Sequence, residues 1–124
     1  MIEHFTDLKA YALSRQLSAE IYRVSQTWPP EERYALTDQI RRCSRSVGAN
    51  LAEAWAKRRY ETHFISKLTD ADGENHETEH WLSVAHSMDL LDSPTYEGLL
   101  ERKLEIGRLL GSMIANPTPF LLRR

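Results

Sequence analysis

Two apolar seams, each stepping alternately by four and three residues, constrain the fold more than any other feature of the chain. One runs Leu36, Ile40, Cys43, Val47, Asn50 and Ala54; the other runs Phe64, Leu68, Ala71, Asn75, Thr78, Leu82 and Ala85. This spacing keeps a stripe on one face of an α-helix, and such stripes are buried by helices packed side by side at shallow angles. A strand would need a period of two, which neither segment has. The expected class is all-α.

Ala10, Leu13, Leu17, Ile21, Val24 and Trp28 mark an earlier helix, with Thr6 and Asp7 as its N-caps and Pro29-Pro30 as its stop. Pro30 suits the first turn of the next helix, whose positive end would meet Glu31 and Glu32 and whose negative end would meet Lys57, Arg58 and Arg59. No Gly or Pro separates Ala54 from Phe64, so residues 31–91 could locally form one long helix. Folding the two seams onto each other requires a break near Arg59–Glu61. Trp81, Val84, Met88 and Leu91 widen the third stripe. Asp92-Ser93-Pro94 opens a fourth helix carrying Tyr96, Leu99, Leu100, Lys103, Ile106, Leu110, Met113 and Ile114, with Gly107 and Gly111 spaced for close helix approach. Asn116-Pro117-Thr118-Pro119 ends it. The expected architecture is an antiparallel up-down-up-down four-helix bundle over residues 1–116, with helices near 7–28, 31–59, 61–91 and 94–115. A tail, 117–124, follows; its Phe120-Leu121-Leu122 either frays or docks.

A chain of 124 residues can bury a core without disulfides, and Cys43, its single cysteine, can form no internal one. The net charge of −2 argues against coating nucleic acid by bulk charge but allows a local basic patch. The start, Met1-Ile2-Glu3-His4-Phe5, lacks the basic and apolar stretches of a signal peptide, and no membrane-length apolar run occurs. The cytoplasm is the expected location, with no membrane partner.

His76-Glu77-Thr78-Glu79-His80 spells H-E-x-x-H, the zinc-hydrolase pattern in which two histidines hold the metal and the glutamate activates water. That chemistry needs a third ligand, for which only Glu101 and Glu105 are suitably spaced. If the third seam faces the core, His76 and His80 point away from it, at most a weak surface metal pair. A di-iron site would need a second Glu-x-x-His besides Glu77-x-x-His80. Cys43 lies on a seam, and there is no glycine-rich phosphate loop. The chain is read as carrying neither a catalytic site nor a cofactor.

The candidate ligand surface is basic. Arg41, Arg42, Arg45, Lys57, Arg58 and Arg59 face a single acid, Glu53, over residues 41–59, and Arg41 and Arg45 are one turn apart. Arginine forks suit phosphate. No aromatic residue interleaves Arg41, Arg42 and Arg45, so base stacking has little support, and the acidic Asp70, Asp72, Glu74, Glu77 and Glu79 offer the simpler alternative of helix pairing. Beside the seam runs a polar line, Gln39, Arg42, Ser46, Asn50 and Glu53, which reads as a register or interface feature.

Pro29-x-x-Glu32-x-Tyr34-x-Leu36-x-x-Gln39-x-Arg41-Arg42, then Ser46-x-x-x-Asn50-x-x-Glu53, resembles the 23S rRNA intervening-sequence protein family of bacterial four-helix bundles. Phe64 and Ala71-x-Gly73-x-x-x-Glu77-x-Glu79 extend the resemblance to roughly residues 5–115. It implies a homopentamer without enzymatic activity, related to the accessory variability proteins of diversity-generating retroelements, which are basic and bind RNA. Gly48, Ala54, Tyr60, Glu74, His76 and His80 depart from the family pattern. The resulting expectation is a non-enzymatic oligomer contacting RNA or an RNA-associated protein through helix two. The alternatives are a protein-interaction module without nucleic acid, and a hydrolase using His76-Glu77-x-x-His80.

Overall fold

The computed structural model describes residues 2–122. Its long helices are α1 (Lys9–Val24), α2 (Asp38–Ala56), α3 (Glu61–Ser87) and α4 (Ser93–Ala115), and there is no strand among the described residues. No helix is long and apolar enough to cross a membrane.

The helix ends differ from the sequence reading for local reasons. Thr6 and Asp7 do not cap α1; they form a 3-10 turn, Phe5–Asp7, in which the Asp7 carboxylate accepts the backbone N–H groups of Glu3 and His4, each at 3.1 Å. Those bonds hold the Asp7 carboxyl below its ordinary range. Leu8, extended and buried, then sends the chain into α1. The first helix ends at Val24 rather than Trp28, because Ser25–Thr27 tightens to 3-10 and Trp28 turns across the molecule. There its indole Nε1 donates to the Leu90 carbonyl at 3.2 Å.

Pro30 opens another 3-10 turn, Pro30–Glu32, and a π segment, Arg33–Thr37, carries the chain into regular α-helix at Asp38. A π turn holds an extra residue, which here brings both Leu36 and Thr37 inward. The second helix stops at Ala56, with Lys57 as its C-cap. Tyr60 is extended and offers no side-chain cap, matching the weak local signal before Glu61. The third helix ends at Ser87, short of Leu91. Asp89 takes φ 60, and the Leu90 N–H closes on the Ala85 carbonyl at 2.9 Å. Leu91 therefore folds back into the core, while Met88 is exposed and does not belong to the stripe. Asp92 caps α4 by accepting the Thr95 N–H at 2.8 Å.

All seven residues of the third seam are 0% exposed, and the large apolar ones supply burial of about 1.5–3 kcal/mol each. The second seam needs one correction. Asn50 is half-buried, and Leu51 takes the core position. The cause is that α2 packs against both α1 and α3, so a second row, Ser44, Gly48, Leu51 and Trp55, is buried beside the first. Asn75, fully buried, donates Nδ2 to the Lys103 carbonyl at 3.1 Å, and Asn50 donates to the Ser46 carbonyl of its own helix at 2.9 Å. The two amides thus serve separate contacts. Neither Gly107 nor Gly111 marks a close helix approach: a Cβ at Gly107 would stand at ordinary contact distance, 3.5 Å, from the Asn75 amide, and one at Gly111 would meet nothing within 4 Å.

The tail docks as far as it is described. The Phe120 ring stacks on Phe64 with centroids 6.2 Å apart, and the Leu122 N–H donates to the Arg58 carbonyl at 3.3 Å. Arg123 and Arg124 lie outside the described residues.

Candidate nucleic-acid interface

The site is set by how closely α1 and α2 approach. Ser14 on α1 meets Gly48 on α2, where an added Cβ would lie 3.2 Å from Ser14 Oγ and 3.4 Å from the Tyr11 ring. That contact brings the outer face of α1 beside the arginines of α2. Arg41 Nε donates to Ser25 Oγ at 2.9 Å, and its guanidinium carbon lies 4.6 Å from the centre of the Tyr22 ring. The Arg45 guanidinium lies 5.6 Å from the same ring, one turn along. Tyr22 remains 44% exposed.

Around this cluster is a groove of about 530 Å³ lined by Tyr22, Asp38, Arg41, Arg42, Arg45, Ser46 and Ala49. A second hollow of about 420 Å³, lined by Arg15, Gln16, Ser18, Ala19, Tyr22 and Arg45, adjoins it. Tyr22 and Arg45 belong to both walls. Arg15 Nη1 donates to the Tyr11 hydroxyl at 2.9 Å. Neither Arg41 nor Arg45 forms a salt bridge among the described residues. Asp38 is the one acid in the larger lining.

The six basic residues do not form one surface. Arg41, Arg42 and Arg45 line the groove, whereas Lys57 lies about 18 Å beyond Arg45 and about 24 Å beyond Arg41 along the helix axis. Arg58 is turned onto Trp55, with its guanidinium 3.9 Å from the ring centre and Nη1 donating to the Trp55 carbonyl at 2.8 Å. Lys57 and Arg59 are exposed at the α2–α3 turn. Arg42 is partly spent on α3: its Nη2 donates to Glu77 Oε2 at 3.2 Å, an oxygen that also accepts the Trp81 indole N–H at 3.1 Å.

The polar line follows the α2–α3 boundary. Arg42 meets Glu77 and Glu53 meets Lys67 at 3.3 Å, while Ser46 and Asn50 bond back to their own helix and Gln39 Nε2 donates to the Tyr34 carbonyl at 3.3 Å. Opposite them, Glu74 Oε2 is buried without a partner. Burial, and then the Glu77 charge, push the Glu74 carboxyl above its ordinary value.

His76 and His80 are exposed on α3. His76 Nδ1 sits 2.9 Å from the Asp72 carbonyl, and the His80 ring packs edge-on against Trp81 at 4.6 Å. Glu105 pairs instead with Lys9 at 3.5 Å, and the described residues contain no group of three or more His, Cys, Asp or Glu that could hold a metal. Cys43 is fully buried, and burial pushes its thiol up to about 11. A thiol so held is a poor nucleophile at neutral pH.

Tyr22 was absent from the sequence reading. The aromatic partner of the arginines comes from the neighbouring helix, not from between them along α2. Its only sequence signal was a large ring just off the apolar stripe of α1.

A family model described as 23S rRNA-intervening sequence protein matches residues 6–112. The chain belongs to this family. Among solved structures it is similar to a protein of unknown function from the S23 ribosomal protein family of Bacteroides thetaiotaomicron. The two are 29% identical, with a TM-score of 0.77 over 86% of this chain and 96% of that one. No functionally curated protein matches the chain.

Proposed function

We propose that this protein is a non-enzymatic homo-oligomeric bundle of the cytoplasm that holds RNA, or an RNA–protein assembly, through the groove between α1 and α2. One observation carries the reading: Arg41 and Arg45 stand together at an exposed tyrosine, with no carboxylate paired to either among the described residues. Guanidinium groups left without acid partners in a concave surface suit phosphate oxygens. The name of the family, tied to rRNA, agrees with that ligand. An antiparallel up-down-up-down order is supported by the cross-helix pairs Ser25–Arg41, Arg42–Glu77, Glu53–Lys67, Asn75–Lys103 and Glu20–Arg102. Ser25 beyond the end of α1 meets early Arg41 on α2, Arg42–Glu77 and Glu53–Lys67 run in opposite senses along α2 and α3, and late His86 on α3 stacks on early Tyr96 on α4. The non-enzymatic reading rests on the buried Cys43 thiol and on the outward placement of His76 and His80. A ring of five copies is what the family resemblance implies, and light scattering of the purified protein measures it.

The test of the groove is retention of a structured RNA at low salt, followed by gel mobility. Arg41→Gln with Arg45→Gln is expected to weaken binding and to reduce the salt slope by about 1–2, as one or two phosphate contacts are lost. Unchanged mobility of the RNA with the unsubstituted protein would refute the reading.

A further inference from the structure

We propose that Tyr22 is a stacking platform for an unpaired nucleobase, so that the groove takes a single-stranded RNA segment in preference to a duplex. This deepens the reading above and rests on it. Tyr22 is 44% exposed although it sits at the junction of two helices, and it lines both hollows. Arg41, which donates to Ser25 Oγ, and Arg45 both carry their guanidinium groups over that ring, so the ring and the two cations form one cluster. Arg45 lines both hollows, and Arg15 lines the smaller one. A strand passing from one hollow to the other would meet Arg41, Arg45 and Arg15 together with the exposed part of Tyr22. Arg41 and Arg45 are separated by about 6 Å along the helix axis, so they form a short row that can follow one backbone.

This arrangement discriminates between strand states. In a duplex, the faces of the bases are covered by their neighbours in the stack, and only their edges reach a protein. An unpaired base offers its face, and every base has one, so the site would tolerate sequence variation. Arginines alone would hold either form by its phosphates. The exposed ring adds affinity for the single strand alone.

The experiment is fluorescence anisotropy at about 50 mM salt, using an unstructured RNA of about 12 nucleotides and the blunt duplex of the same sequence. The full chain is expected to bind the single strand at least about tenfold more tightly than the duplex. Tyr22→Ala is expected to lower single-strand affinity by about tenfold with an unchanged salt slope, and Tyr22→Phe to retain it. A thermal melt confirms that both variants fold. Equal affinity for strand and duplex, or a Tyr22→Ala protein that binds the single strand as the unsubstituted chain does, would overturn the stacking platform while leaving phosphate recognition standing. Absence of binding to either RNA would overturn both.

Discussion

Lys103 makes an asymmetric prediction. Its side chain is 6% exposed on α4, and its Nζ lies 2.6 Å from Glu79 Oε1 on α3, whose side chain is 42% exposed. The lysine therefore depends on the glutamate, but the glutamate has water as an alternative partner. Glu79→Ala leaves a buried ammonium without its counter-charge. Breaking a fully buried pair costs about 3–5 kcal/mol, and the exposure of Glu79 lets water enter and reduces this to about 2 kcal/mol. Alanine is the better helix former, so propensity works slightly against the expected loss. Lys103→Met removes the buried charge, keeps an unbranched chain of similar reach, and leaves Glu79 hydrated; it should stay within about 1 kcal/mol of the parent. For 124 residues the unfolding entropy near the midpoint is about 0.26 kcal/mol/K, so 2 kcal/mol lowers Tm by about 8 °C. Calorimetric melts at neutral pH should show Glu79→Ala about 8 °C down and Lys103→Met within about 4 °C. Equal losses in the two variants, or no loss with Glu79→Ala, would refute the argument that burial makes the lysine the dependent partner.

Leu82→Ala, at a position 0% exposed, should cost about 2–5 kcal/mol by urea unfolding, with the m-value preserved. Cys43 should resist iodoacetamide at pH 8 in the folded protein and react once urea exposes it, because its thiol is buried and raised to about 11. Asp92, whose carboxyl is held below its ordinary value by the Thr95 N–H, stabilises the fold through its charged form. That contribution is present above the unfolded value and is lost as pH falls through the folded one, so the Tm gap between the parent and Asp92→Ala should close on acidification. Phe120→Ala removes the stack on Phe64 and should lower stability by about 1–2 kcal/mol, with faster protease clipping of the tail.

On α3 the sequence was a direct guide: the seven seam residues from Phe64 to Ala85 are all buried. The reading faltered on α2, which buries two adjacent rows rather than one. On α2 the heptad-like steps led to Asn50, but contact with α1 brings Leu51 and Gly48 inward and turns Asn50 toward the boundary. Helix ends escaped notice for another reason. The left-handed residue that stops α3 is Asp89, where glycine or asparagine would have signalled the turn, and the π segment before Asp38 carries no distinctive composition. At the candidate site, the arginines were visible as a cluster along the chain, but their tyrosine was not. Helical periodicity on α1 says which residues are outside, and it does not say which neighbour those residues stand beside. The separation of Arg41 from Lys57 follows from helix rise alone and needed no coordinates; counting charge over a window obscured it.

The π segment Arg33–Thr37 also has a bearing on how such chains vary. A turn holding one residue too many is what an insertion leaves behind when the helix beyond it must keep its register. Ala35, exposed within that turn, is the spare residue. Losing it would let the segment relax to ordinary α geometry while Ile40 onward stayed seated against α3. The connector upstream would instead rotate by about 100°, pulling the Trp28 indole off the Leu90 carbonyl. Length changes at this point would therefore fall on the link between α1 and α2, where Ser25 holds Arg41, while the apolar seam of α2 keeps its seat.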